Sequence, residues 1–379
     1  MILFLANQIG GTNGNVAANL DILISLLLSG KKIGTIAFKQ ADIPKSAFDN
    51  IIPNLSFSYQ FSNWPPTHKD KEKIIRRLSE HEIDLVLNND LAFHNLFGKV
   101  LFPKLRISQS YRSCVLTQTQ PKNYPFALPD KEMVSRFSDY DHFISVSQRV
   151  IQEWRDFGLK QDQSHCHCVP NCCSQESAET LSNLSKAEVR KSLNIGKDLF
   201  VSVCVATLQD RKNQRLIIKH LDQLLENDSK THFYFVGPKS DYGGDEILTL
   251  IKNHPQCDRI HLTGEVSDAM SYIRAADLLL LPSLGEVMPL SILEAMALKT
   301  PVLASNVGGI PEMIEDETSG FLFDLKNSTD FVKKFLLLKK DSSLRKQLAK
   351  NAYSRYHSSF SRMKHTERWK TTLKTILHS

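Results

Sequence analysis

DLLLLPSLGEVMPLSILEAMALKTPVLAS, from Asp277 to Ser305, is the stretch that decides the fold. Its run of leucines reads as a buried strand that stops at Pro282. SILEAMAL then reads as a helix with Pro289 in its first turn, where the missing N–H leaves nothing unsatisfied. TPVLAS reads as a second buried strand. Strand, helix and strand in that order call for a crossover between parallel strands.

The same rhythm continues on both sides. Towards the N-terminus lie ILFLA, a helical span near Asn15 to Ser29, KIGTIAF, IDLVLN, SCVLT and HFISVS, the last followed by the helical QRVIQEWRDFGL. The polar stretch SQESAETLSNLSKAEVRKSLN reads as a separator. After it come LFVSVCVA, HFYFVG, RIHLTG, DLLLLPS, TPVLAS and GFLF, each followed by a turn and a helical pattern. The expected class is α/β, with two Rossmann-like parallel-sheet domains over residues 1–173 and 174–350. A C-terminal helix over 351–379 is expected to pack back toward the first domain. Open parallel sheets bind ligands at the carboxyl ends of their strands, so the expected site is a deep cleft between the domains.

The 379 residues carry a formal charge of +6, with 41% hydrophobic and 23% charged residues, an ordinary globular composition long enough for two cores. The charge suits anionic ligands, whereas nucleic acid would need a denser basic stripe. No apolar run approaches the roughly 20 residues of a membrane helix, since LDILISLLLSG carries Asp21 and stops at Gly30. MILFLANQ reads as a first strand and not as a signal peptide, so a cytoplasmic protein is expected. Seven cysteines, an odd number, do not describe a disulfide framework. SHCHCVPNCCS offers His165, Cys166, His167, Cys168, Cys172 and Cys173 as soft-metal ligands. Neither the C-x-C step nor the adjacent pair has the usual zinc spacing, and a buried strand running into a Pro-Asn turn is the plainer reading.

Two glutamates stand out in the deciding stretch. Glu286 falls in the strand-to-helix loop, and Glu294 lies about one and a half turns into the helix. Free amides near Leu290 and Ser291, with the helix dipole, make that N-terminus receptive to an anion. A carboxylate on either side of a phosphate-receptive helix start suits a nucleotide sugar, which has sugar hydroxyls on both sides of a diphosphate. The bland alternative is a pair of solvated surface glutamates.

Taken in order, Glu286 and Glu294 with seven residues between them, then EAMA, PV and GGIPE, resemble the signature of retaining glycosyltransferase family four, whose members have the two-lobed GT-B fold. Weaker likeness extends to Gly10-Gly11 after the first strand, SVS in HFISVSQRV, VPN at the domain crossover, LTG before the helix at Ser267, and the final helix. The resemblance implies an NDP-sugar-dependent, retaining hexosyltransferase acting in glycan biosynthesis. Its first domain binds the hydroxyl acceptor, a glycan, lipid or small molecule, and its second binds a UDP-, GDP- or ADP-sugar. It also implies roles. Glu286 and Lys212 are catalytic. Glu294 takes the ribose, Met288 and Leu290 offer amides to sugar and phosphate, and Arg211, Gly10, Gly11 and Gly264 complete the donor site. No cofactor and no metal are implied.

Three positions depart from the family pattern. Thr207 stands where an arginine is expected, and Arg211 is the nearby cation that could replace it. Gln118, Thr119 and Gln120 stand where many members have a histidine, and His94 lies in a neighbouring loop. Cys172 replaces the glycine of the crossover turn. These departures motivate an alternative, a catalytically impaired GT-B protein that binds nucleotide sugars or glycans. A dinucleotide oxidoreductase is not expected, because no G-x-G-x-x-G follows either domain's first strand. Within Asn63–His81, the basic helical pattern over residues 69–81 is a candidate for peripheral contact with anionic lipid at the inner face of a membrane. A solvated helix face is its plainer reading.

Overall fold

A computed structural model of the protein describes residues 1–6, 14–38, 52–61, 67–88, 112–117, 134, 140–226 and 228–378. These residues form two compact units, which divide between Cys172 and Cys173.

In the first unit, β1 (Ile2–Ala6), β2 (Ile33–Phe38), β3 (Phe57–Phe61), β4 (Leu85–Asn88), β5 (Arg112–Thr117), β6 (His142–Ser145) and β7 (Cys166–Cys168) make a parallel sheet in the order β3-β2-β1-β4-β5-β6-β7. The helices α1 (Gly14–Leu28), α2 (His68–Ser79) and α3 (Gln148–Asp156) lie between strands in the chain. Every residue of β1 and β4 is buried, which is why these strands read as unbroken apolar runs and do not alternate. β3 is absent from the strands read in the sequence, although F-S-Y-Q-F alternates with the period of a strand.

The second unit opens with α4 (Gln175–Ser182) and α5 (Lys186–Ser192). This corrects the reading of that stretch as a separator. Ser174 caps α4, while Ser185 and Glu188 close a capping box on α5, satisfying amides that would otherwise be orphaned. Arg190, 5% exposed, ties α5 to the sheet through Asp277 and the carbonyl of Ala275. The sheet follows as β8 (Phe200–Val205), α6 (Gln214–Lys219), α7 (Leu221–Leu225), β9 (Thr231–Val236), α8 (Gly244–Lys252), β10 (Ile260–Gly264), α9 (Ala269–Ala275), β11 (Leu278–Leu281), α10 (Leu290–Ala297), β12 (Val302–Ser305), α11 (Ile310–Met313) and β13 (Phe321–Phe323). All neighbouring strands are parallel, in the order β10-β9-β8-β11-β12-β13. One face packs Cys204, Phe233, Phe235, Leu278, Leu280, Leu303, Phe321 and Phe323 under α6, α7, α8 and α12 (Ser328–Lys340).

The helix α13 (Ser342–Ser359) runs unbroken through the expected boundary at residue 350 and stays with the second unit, which ends at Ser361. Tyr356 of α13 receives the thiol of Cys173 at 3.3 Å. The last helix, α14 (Arg362–His378), belongs to the first unit and packs along α1. Its Trp369, Leu373 and Ile376 join Ile2, Phe4, Ile22 and Leu26 in one core, each such side chain stabilising by about 1.5–3 kcal/mol. Cys172 is buried at the crossover without the left-handed backbone that would favour glycine.

Candidate active site

In the second unit β8 and β11 are neighbours from which the sheet is built outward in opposite directions. The carboxyl end of that pair is the topological switch point, where an open α/β sheet leaves a crevice between diverging loops. Two loops meet there, residues 206–213 after β8 and 282–289 after β11.

Specific bonds hold the first loop. Gly237 has φ +147°, and a Cβ on it would stand 2.4 Å from the Ala206 carbonyl oxygen, so only glycine lets the loop after β9 pass this close. Gln214, fully buried, donates its amide to the Thr207 carbonyl at 3.0 Å. A single turn over Asp210–Lys212 ends at Asn213, which is left-handed at φ 54° and ψ 36°. Asn213 Nδ2 then donates to the Pro282 carbonyl at 3.0 Å, and Leu284 N donates to the Arg211 carbonyl at 2.8 Å. These two bonds staple the loops together and set Arg211 and Lys212 against Gly285 and Glu286.

Glu286 is 7% exposed, yet both its oxygens are engaged. Lys212 Nζ lies 2.5 Å from Oε1, which also accepts from Ser283 Oγ at 2.8 Å. Arg211 Nη1 lies 3.2 Å from Oε2 and donates to the Gly285 carbonyl at 2.8 Å. The Glu286 carbonyl accepts from Gly309 N, which ties the loop after β12 to the same spot. Burial by itself would push the carboxyl up. Lys212 and then Arg211, with the bonds from Lys212 and Ser283, outweigh burial and hold it below the ordinary 4.5. Cys204, beneath the site on β8, is pushed up to about 12, chiefly by burial, and is therefore an inert thiol at neutral pH.

Pro289 is the N-cap of α10, with φ −67° and ψ 126°, so it stands just outside the helix and not in its first turn. The pre-proline restriction on Met288 favours an extended approach to the cap. Ile292, Leu293, Ala295 and Met296 are fully buried, whereas Leu290 and Glu294, four residues apart, share a half-buried stripe. Glu294 is therefore not a solvated surface residue. Its carboxylate lies on the helix face that also carries the first residue of the helix.

The expected site residues thus fall into groups. Glu286, Lys212 and Arg211 touch one another, and Met288 and Leu290 lie on the same loop and helix start. Gly264, at φ +68°, ends β10, two strands from β8, where an added Cβ would meet nothing within 4 Å. Gly10, Gly11, His94, Gln118, Thr119 and Gln120 lie outside the described residues. Thr207 is half-buried, and Arg211, four residues further on, reaches Glu286. Ser283, Asn213 and Gln214 were not singled out in the sequence. Asn213 carries a signal, since asparagine tolerates the left-handed region that must end a single turn, but nothing local marks Ser283.

The Cys/His stretch forms the turn Gln163–His165 and strand β7, which lies at the sheet edge and is half-buried where a buried strand was expected, with His142 Nδ1 3.1 Å from His167 Nε2 and His165 Nδ1 2.7 Å from Asp162. Among the described residues, no group of three or more His, Cys, Asp or Glu side chains is placed to hold a metal ion. Among the same residues no helix is long and apolar enough to cross a membrane.

Residues 185–355, the stretch that carries this site, match the family model of the glycosyl transferases group 1. Residues 185–355 belong to that family. The chain is also similar to UDP-Gal:alpha-D-GlcNAc-diphosphoundecaprenol alpha-1,3-galactosyltransferase of Escherichia coli, at 28% identity over 193 residues, 49% of each chain. This chain spans about half the length of the curated relatives it matches. Solved structures share the fold over almost the whole chain. A glycosyltransferase from Rickettsia africae ESF-5 superposes with a TM-score of 0.78 at 16% identity, covering 99% of this chain and 98% of that one. Alr3699/HepE of Anabaena, in complex with UDP, gives 0.76 at 19% identity, covering 99% of each chain. The fold is therefore GT-B, with a Rossmann-like sheet in each unit.

Proposed function

We propose that the protein is a retaining glycosyltransferase that moves a hexose from a nucleoside-diphosphate sugar to a hydroxyl acceptor. The observation that carries this reading is Glu286, a buried carboxylate gripped by Lys212 and Arg211 at the switch point of the second sheet. Such a carboxylate can accept hydrogen bonds from sugar hydroxyls next to the reacting carbon. The adjacent cations, with the first amides of α10, can receive the diphosphate on which negative charge builds as the sugar departs. Glu294, one turn further along the half-buried stripe of α10, takes the ribose hydroxyls. Gly264 lines the rest of the donor in this reading, and the first unit binds the acceptor.

The acceptor oxygen forms a bond to the anomeric carbon as that carbon's bond to the diphosphate breaks. The leaving phosphate takes the acceptor's proton on the same face, so no titrating side chain is needed near Thr119. The reading calls for no metal and no cofactor, because Arg211, Lys212 and the helix dipole supply the positive charge. The match of residues 185–355 to the glycosyl transferases group 1, and one relative named for UDP-Gal, support it. The relatives differ in acceptor by name, from a diphosphoundecaprenol-linked sugar to L-malate and D-inositol 3-phosphate. The acceptor is accordingly left as a hydroxyl on a glycan, a lipid or a small molecule. Contact of residues 69–81 with anionic lipid at the inner face of a membrane belongs to the same proposal.

The alternative, a nucleotide-sugar binder without turnover, drew on Thr207, Thr119 and Cys172, and Arg211 on Glu286 weakens the first of these grounds. The test is incubation with UDP-, GDP- and ADP-hexoses. Slow release of the nucleoside diphosphate from one donor, lost in Lys212→Met, is the expected result. Binding without release from any donor overturns transfer in favour of the binding module.

A further inference from the structure

The two cations that would receive a diphosphate are already occupied. Lys212 Nζ is 2.5 Å from Glu286 Oε1 and Arg211 Nη1 is 3.2 Å from Oε2, with side-chain exposures of 14%, 22% and 7% for Lys212, Arg211 and Glu286. Arg211 Nη1 also donates to Gly285 O, and Ser283 Oγ donates to the carboxylate. Two positive charges and one negative charge therefore sit largely shielded from solvent on loops stapled to each other by Asn213 and Leu284.

A diphosphate entering here meets opposing contributions. It is attracted by two cations, and it is repelled by a carboxylate that has too little solvent around it to be screened well. Removing that carboxylate leaves the cations with more charge to offer the phosphates. A bare nucleoside diphosphate has nothing to give Glu286 in return. A nucleoside-diphosphate sugar brings hydroxyl donors, and a hydroxyl bonded to a charged acceptor is among the stronger hydrogen bonds.

We infer that Glu286 is a resident counter-anion that keeps Arg211 and Lys212 assembled and competes with diphosphate for them, so that the site prefers the sugar-bearing donor to the bare nucleoside diphosphate. The inference rests on the proposed function and adds to it. Glu286 sets the ratio of donor to product affinity and so hastens product release, besides facing the sugar. Its effect is electrostatic, so charge and not shape is the variable to change.

The test is isothermal titration of UDP, GDP and ADP, and of their glucose conjugates, into the wild type and into Glu286→Gln, Glu286→Asp and Lys212→Met. Glu286→Gln keeps an oxygen for Ser283 and Lys212 while removing the charge, and thermal unfolding checks that each variant is folded. The nucleoside diphosphate is expected to bind Glu286→Gln about tenfold more tightly than the wild type, an advantage that shrinks as salt is raised. Glu286→Asp, which keeps the charge, gains no affinity, and Lys212→Met loses it. The preference for the sugar conjugate over the bare diphosphate falls in Glu286→Gln. Folded Glu286→Gln that binds the diphosphate no more tightly than the wild type overturns the inference and leaves the proposed function standing. If neither the three diphosphates nor their glucose conjugates bind the wild type, the proposed function fails and the inference with it.

Discussion

Lys212→Met isolates the interaction on which the site is built. Methionine keeps the unbranched stem of the lysine and removes the ammonium 2.5 Å from Glu286 Oε1. Removing one partner of a buried ion pair costs about 3–5 kcal/mol when the other charge is left bare. Glu286 would not be left bare, because Arg211 at 3.2 Å and Ser283 at 2.8 Å remain. The expected loss at pH 7 is therefore about 2–3 kcal/mol in the second unit. The sign of its pH dependence follows from the carboxyl. In the wild type Glu286 titrates below 4.5, so it contributes stability above pH 4.5 that is lost as pH falls through the lowered folded value. In the variant the largest influence, burial, meets weaker opposition and the carboxyl titrates higher. Its penalty is then full above that raised value and disappears below the unfolded value. The gap between the two proteins must consequently narrow on acidification. A two-unit chain need not unfold in one step, so the suitable assay is amide hydrogen exchange read at β8 and β11, which reports the opening of these strands directly. Equal protection at pH 7, or a gap that widens toward pH 4.5, would show that Lys212 does not hold the Glu286 carboxylate.

Other consequences are equally open to measurement. His365 accepts from Trp369 Nε1 at 3.1 Å through Nε2 and meets Ser25 Oγ at 2.8 Å through Nδ1, and burial, then Arg362 and Arg368, bring its pKa down from 6.5 to about 3. Because the unfolded imidazole binds the proton that the folded one refuses, the first unit should be fully stable above pH 6.5 and lose up to about 1.4 kcal/mol per pH unit below it. Thermal unfolding of His365→Gln should show a flatter slope between pH 6.5 and 4, and an unchanged slope counts against this account. Asn213→Gly keeps the left-handed turn and loses only the bond to Pro282, about 1 kcal/mol, whereas Asn213→Ala adds backbone strain of about 1–2 kcal/mol. Denaturation midpoints that rank alanine above glycine would contradict the staple. Gly237→Ala forces a Cβ onto the Ala206 carbonyl and should displace the loop carrying Lys212, read as loss of nucleotide binding in a thermal-shift assay.

The second sheet was legible because parallel strands covered on both faces leave runs such as LLLL and FVSVCV that admit no other reading. The pairing of Glu286 with the cations was only half legible. The residue types and their resemblance to a family marked the candidates, but the contact spans 74 residues and depends on the order in which strands join the sheet. Arg211 shows why. Reading along the chain finds Thr207 in the expected place and a deficit of charge, and only the turn over Asp210–Lys212 brings the next cation to Glu286. Pro289 was placed one residue too deep, since a cap and a first-turn proline have the same local sequence and differ in ψ. The two helices of the supposed separator were missed by weighing polarity over the S-x-x-E box that starts one of them.

The proposed function requires that a nucleotide-linked sugar be held at the carboxyl edge of the second sheet by the loop after β8, the loop after β11 and the start of α10. Differential hydrogen exchange with and without a saturating UDP-, GDP- or ADP-hexose tests it most directly. Protection confined chiefly to residues 206–214 and 282–294 is the predicted result. Protection that appears elsewhere while those two segments exchange as before would contradict the account.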